Sequence, residues 1–153
     1  MRVEDLEAVM AIEEQSFPTP WSRGAYQREL TENPYAVYLV AECQGEVAGY
    51  IGCWILIDEA HITNVAVHPQ FRRLGIGGRL LGAVLTEAAV RGSRRATLEV
   101  RPSNFGAQTL YQKYGFSFHG VRKNYYTDTH EDALIMWKDD LADLPAEDDR
   151  AGR

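Results

Sequence analysis

Arg72-Arg73-Leu74-Gly75-Ile76-Gly77-Gly78 follows almost directly on the apolar run from Ala60 to Val67. That junction constrains the fold more than any other stretch of the chain. The run reads as a strand central in its sheet, and His68-Pro69 ends it. The glycines then open a helix predicted to reach about Arg91, with Ile76, Leu80, Val84 and Ala88 at intervals of four on its buried face. Glycines let backbone approach a ligand, the first helical N–H groups lack intrahelical partners, and the helix dipole adds partial positive charge. An anion such as a pyrophosphate suits that place. Each charge-assisted hydrogen bond contributes ~1.5–3 kcal/mol, so several amides and one arginine suffice for micromolar affinity.

Spacing excludes two common phosphate loops. A Walker A loop needs Gly-Lys followed by Ser or Thr, which the chain lacks. The dinucleotide fingerprint requires a third small residue where Leu80 stands. What remains is R-x-x-G-x-G, which a basic, solvated glycine turn would explain as well if it stood alone.

The 153 residues, 45% of them apolar, are enough for one domain with a core and too few for two ordinary ones. The domain is expected over residues 1–140, with 141–153 as a flexible acidic tail. With no long apolar run and no basic, apolar leader at Met1 to Glu14, neither membrane span nor signal peptide is expected, and the location is expected to be cytoplasmic. A net charge of −6 argues against a general nucleic-acid binder and fits a cationic partner or simple solubility. Cys43 and Cys53 fall too far apart along one predicted hairpin for a disulfide.

Residues 4–16 read as an amphipathic helix, and the segment from Phe17 to Ser22, with Pro18 and Pro20, as a rigid loop. Ser22 is placed to cap a second helix to about Leu30. Strands are predicted at about 35–42 and 46–57 around the Gln44-Gly45 turn, then at 60–67, 94–101, 116–125 and 131–138, with a helix from Asn104 to Tyr114 that Gly115 closes. The order αα, ββ, βα, βα, ββ gives an α/β fold, a mixed, mostly antiparallel sheet with helices on both faces.

On these residues the chain resembles the Gcn5-related N-acetyltransferase family. R-x-x-G-x-G after a strand carries the resemblance, together with three narrower segments: Phe17 to Ser22, Leu98 to Asn104, and Asn124-Tyr125-Tyr126 leading to His130 through Met136. Within the family it is most similar to the branch that acetylates the N-terminal alanine of the small-subunit ribosomal protein numbered eighteen. The resemblance implies acetyl-CoA as cosubstrate, no metal, a basic ribosomal protein N-terminus as partner, and an oligomeric state compatible with a monomer. It also implies that the segment Arg72, Arg73, Leu74, Gly75, Ile76, Gly77 and Gly78 holds the pyrophosphate. The main chain of Val65, Ala66 and Val67 would bind pantetheine like an added strand. Asn104 would contact the cofactor, and a helix N-cap is an equally sound reading of it.

By the same resemblance Glu99 is the general base and Tyr111 the acid that protonates the departing thiolate. From residue pattern alone Glu99 reads as a strand carboxylate paired with Arg101, and Tyr111 as a core aromatic. Phe17, Trp21, Tyr125 and Tyr126 would wall the acceptor groove. Glu13, Glu14, Asp128 and Glu131 would attract a basic substrate at longer range. His61, His68, His119 and His130 show no metal-ligand spacing and read as ordinary strand or turn positions. The alternatives on the same fold are acetylation of a small amine, such as an antibiotic or polyamine, and CoA binding without turnover.

Overall fold

The hairpin at Gln44-Gly45 sets up the sheet. Both residues have positive φ, 56° and 78°, as a two-residue type I′ turn requires, so β1 (Ala36–Cys43) and β2 (Glu46–Leu56) pair antiparallel with Cys43 opposite Glu46. Cys53 lies opposite Val37 instead, and both thiols are free. β3 (Glu59–Val67) continues antiparallel, and β4 (Arg95–Val100), β5 (Ser117–Tyr126) and β6 (Glu131–Lys138) complete a six-stranded sheet in the order β1-β2-β3-β4-β6-β5. These observations come from a computed structural model that describes residues 1–142. None of the described helices is long and apolar enough to cross a membrane.

One junction in this sheet is parallel, and it is short. β3 and β4 pair only at Glu59, Ala60 and His61 against Arg95, Ala96 and Thr97. Beyond those pairs the two strands part company, so among the described residues the β4-facing edge of Val65 to Val67 has no strand partner, while its other edge pairs with Gly49 to Ile51 of β2. A register shift opposite Gly52 and Cys53 leaves Thr63 as a bulge on β3 at the mouth of this gap.

Helices cover both faces. α1 (Leu6–Ser16) and α2 (Arg23–Glu32) lie on one, where Leu6, Val9 and Ile12 pack with Tyr26, Tyr38 and Tyr50. α2 runs to Glu32, two residues past the predicted Leu30, because a proline expels only the residue before it from helical geometry, and Asn33 takes that step with φ −98° and ψ 101°. α3 (Ile76–Val90) and α4 (Phe105–Lys113) cover the other face. Ile76, Leu80, Val84 and Ala88 are buried as their spacing predicted, joined by Leu81 and Leu85. Leu141, in the segment read as tail, is buried in that same core and donates its N–H to the Arg94 carbonyl. Residues 143–153 of the expected tail lie outside the described residues.

Candidate active site

Alternation along β4 decides which side each group serves. Ala96, Leu98 and Val100 point into the core under α3, which places Glu99 on the α1/α2 face. There it lines a cavity of about 300 Å³ with Phe17, Thr19 and Trp21 from the α1–α2 loop, Thr63 and Asn64 at the β3 bulge, and Tyr125 to Asp128 from the β5–β6 turn. The structure thus brings together four aromatic residues expected at the acceptor groove, Phe17, Trp21, Tyr125 and Tyr126, around the carboxylate expected to act as base. Thr19 Oγ1 donates to Asp128 Oδ2 at 3.4 Å, joining the two walls.

Glu99 is not paired with Arg101. Its side chain is 7% exposed and its Oε2 lies 2.6 Å from His61 Nε2, with Arg122 Nη2 3.8 Å from Oε1. Burial alone would raise the Glu99 pKa; the hydrogen bond and charge of His61, then the charge of Arg122, outweigh it and hold the carboxyl below its ordinary value. His61 is therefore more than an ordinary strand position. The parallel register of β3 on β4 carries it there, and no spacing within the sequence announced that.

Arg101 instead forks onto Asp128, with Nη2 2.9 Å from Oδ2, lies 3.6 Å from Glu131, and stacks 4.0 Å over the Tyr126 ring. Arg101 thereby offsets one of the two negative charges of Asp128 and Glu131 and leaves the pair net acidic. Glu13 is not a surface acid: it is 2% exposed and accepts hydrogen bonds from the Tyr26 and Tyr50 hydroxyls. Asn64 of the β3 bulge in turn donates to the Tyr26 hydroxyl.

Tyr111, on α4, packs its ring into the core shared with α3, 6.0 Å from that of Phe116, and lies near enough to Tyr126 of the Glu99 cavity to feel its charge. Burial, then the neighbouring Tyr126 hydroxyl, push its pKa up, so the phenol keeps its proton at neutral pH. The core-aromatic reading holds for its ring.

The glycine-rich turn is built as a cradle. Arg73 and Gly75 adopt left-handed backbone, φ 66° and 76°, and the first helical hydrogen bond of α3 runs from Arg79 N to Gly75 O at 3.1 Å. The amides of Ile76, Gly77 and Gly78 precede it and point out of the helix start. A Cβ on Gly77 would stand 3.5 Å from Leu110 and 3.9 Å from Val67, filling the space between α4 and the free β3 edge. The Arg72 Nε donates to Val67 O at 3.2 Å, and Leu74 is exposed at the rim. Asn104 Oδ1 accepts from Ala107 N at 3.1 Å and so caps α4. These residues fit a diphosphate carried on an extended, amide-bearing arm.

A sheet split over a free strand edge, an amide-lined helix start beside that edge and an enclosed carboxylate on the opposite face define an acyltransferase. The acetyltransferase (GNAT) family model matches residues 6–116, and the chain belongs to that family of N-acetyltransferases. A protein of Bacillus subtilis (strain 168), named provisionally as a ribosomal protein bS18-alanine N-acetyltransferase, is 50% identical over 137 residues, 90% of this chain and 91% of its own length. The ribosomal protein bS18-alanine N-acetyltransferase of Escherichia coli (strain K12) is 36% identical over 89% of this chain and 92% of its own. The crystal structure of the ribosomal-protein-S18-alanine N-acetyltransferase from Escherichia coli superimposes with a TM-score of 0.83 at 32% identity, covering 97% of this chain and 94% of that one.

Proposed function

We propose that the chain transfers the acetyl group of acetyl-CoA to the N-terminal α-amine of a protein, and that its substrate is the alanine-initiated ribosomal protein bS18. The observation that carries this reading is the enclosed Glu99 carboxylate at an aromatic-walled cavity of about 300 Å³, on the side of the sheet opposite the glycine cradle. A chain end fits such a cavity, whereas a lysine on a folded surface would have to thread its stem between two loops. The names of relatives 50% and 36% identical support the substrate.

Arg73 to Gly78 would hold the pyrophosphate with their amides, and the unpaired edge of Val65 to Val67 the pantetheine arm. When bound, acetyl-CoA supplies an activated thioester. An α-amine of pKa ~7.7–8 is roughly one-tenth neutral at pH 7, and Glu99, held ionised by His61, takes the remaining proton directly or through water. A backbone N–H near Val65 polarises the carbonyl as the nitrogen–carbon bond forms. Tyr111 protonates the departing sulfur. Its raised pKa widens the mismatch with a thiol near ~8.5, which makes Tyr111 a positioned but weak acid.

Intact-mass assay with acetyl-CoA tests the reading on an alanine-initiated basic hexapeptide, the same peptide with a blocked α-amine and a free lysine, spermidine and an aminoglycoside. Fastest acetylation of the free α-amine is expected; faster reaction of any other would defeat the substrate assignment. Glu99→Gln should lower kcat about 10²-fold, with partial recovery at higher pH where more amine is neutral. Tyr111→Phe should lower kcat with acetyl-CoA affinity unchanged. Wild-type rates in both variants would remove the assigned roles.

A further inference from the structure

His61 does not line the acceptor cavity, yet its ring is fixed from two sides. Trp54, its cross-strand partner on β2, meets it edge-on at 6.3 Å and 85°, and the Trp54 indole N–H is itself anchored on Glu29 Oε1 at 2.8 Å. On the other side His61 Nε2 reaches Glu99 Oε2 at 2.6 Å. An ionised carboxylate only accepts hydrogen bonds, so Nε2 must carry the hydrogen. A charge-assisted bond of this length takes up Oε2, while the Arg122 guanidinium approaches Oε1 only to 3.8 Å.

We propose that His61 is a positioning residue of the transfer reaction: held by Trp54, it pins one oxygen of Glu99 and so fixes the other as the oxygen that takes the proton of the acceptor amine. The inference rests on Glu99 being the base, as proposed above. The effect is geometric: a carboxylate free to rotate on its own stem presents the proton-accepting oxygen in the productive direction only part of the time, and misplacement of about 1 Å can cost ~10²-fold in rate. His61 touches neither substrate nor reacting atoms and acts through Glu99. The other groups around that carboxylate are Arg122, Tyr125 and Tyr126 on β5, Arg101 just past the end of its own strand, which is committed to Asp128, and Glu13 across the cavity, while β6 sets apolar Ile135 beside it. None of them makes a hydrogen bond to Oε2 as short as that of His61.

Steady-state kinetics of His61→Leu, His61→Gln and His61→Asn, each also combined with Glu99→Gln, tests this on the full chain. His61→Leu should lower kcat about 10- to 100-fold with KM for peptide and for acetyl-CoA unchanged. Gln, whose terminal amide reaches as far as Nε2, should recover most of the rate, and the shorter Asn should not. In the Glu99→Gln background the His61→Leu loss should vanish, since there is no base left to position. A kcat within about twofold of wild type for His61→Leu, an equal loss with and without Glu99, or a loss confined to KM would overturn the proposal. Should His61→Leu not fold, the Gln and Asn pair decides alone, and equal rates for those two would overturn it. ¹³C NMR of the Glu99 carboxyl needs no substrate: its titration should move up in His61→Leu, and an unmoved titration would overturn the pairing. Failure of the wild type on every amine would instead overturn the proposed function, with the titration still reporting on His61.

Discussion

The two faces of the sheet are built on different physics. Under α3 and α4 the buried side chains are nearly all apolar, Leu80, Leu81, Val84 and Leu85 against Leu98, Phe116 and Met136, with Tyr111 the one buried phenol there among the described residues and partly buried Tyr114 packed against the same core. Under α1 and α2 three tyrosines, Tyr26, Tyr38 and Tyr50, are buried to 6% exposure or less, and their hydroxyls end on two carboxylates, Glu13 and Glu29. Burial pushes the pKa of all three phenols up, so they remain donors at any physiological pH. Dispersion and hydrophobic burial have little directionality and tolerate repacking. A network of short hydrogen bonds does not, because a partner removed leaves a buried group unsatisfied. The cavity at Glu99 opens on the hydrogen-bonded face, where Glu13 and Asn64 belong to both the network and the cavity wall. Rigidity is therefore placed around the Glu99 cavity, where the proposed function aims the acceptor amine, and bulk stability under α3, which it assigns to the cofactor.

The largest test of that contrast lies on the cofactor side. Gly77→Val fills the space between Val67 and Leu110 without displacing backbone, so acetyl-CoA binding by calorimetry should be abolished while the unfolding transition stays cooperative. Unchanged affinity would reduce the glycine cradle to a turn. Next, Leu85→Ala should cost about 2–5 kcal/mol of stability and leave kcat and peptide KM intact well below its Tm. A changed peptide KM there would break the division between the two faces. Tyr50→Phe removes one of the two hydroxyls on Glu13 and should cost about 1–2 kcal/mol in denaturant unfolding while raising peptide KM several-fold. An effect on stability alone would mean that the network does not set the cavity.

Smaller effects sharpen the picture at Glu99 itself. Its folded pKa is depressed, so the stability it contributes is present above the ordinary value of 4.5 and is lost as pH falls through the lower folded value. The Tm difference between wild type and Glu99→Gln should accordingly shrink on acidification from neutral pH to below that range. Smallest of all is salt. With Arg101 offsetting one of the two charges of Asp128 and Glu131, and Glu13 buried, only that residual charge and exposed Glu14 are left to attract a basic peptide, and its KM should rise by less than about threefold between ~0.05 and ~0.5 M salt.

Much of this protein is written locally in its sequence. The Gln44-Gly45 turn, the Ser22 and Asn104 caps, the every-fourth-residue face of α3 and the alternation that sends Leu98 inward and Glu99 outward all follow from neighbours within a few residues. The glycine cradle belongs here too, since a left-handed Gly75 at a helix start is a property of one turn. What the sequence could not show is which distant groups meet. His61 and Glu99 are 38 residues apart and touch because β3 and β4 share a short parallel register before they diverge. Arg101 turns to Asp128 rather than to Glu99, and Glu13, one position along α1 from exposed Glu14, is buried beneath two tyrosines from α2 and β2. Periodicity fixes the face on which a side chain lies; its partner, and hence its charge state and its part in the chemistry, is chosen only when strands far apart in the chain come into register.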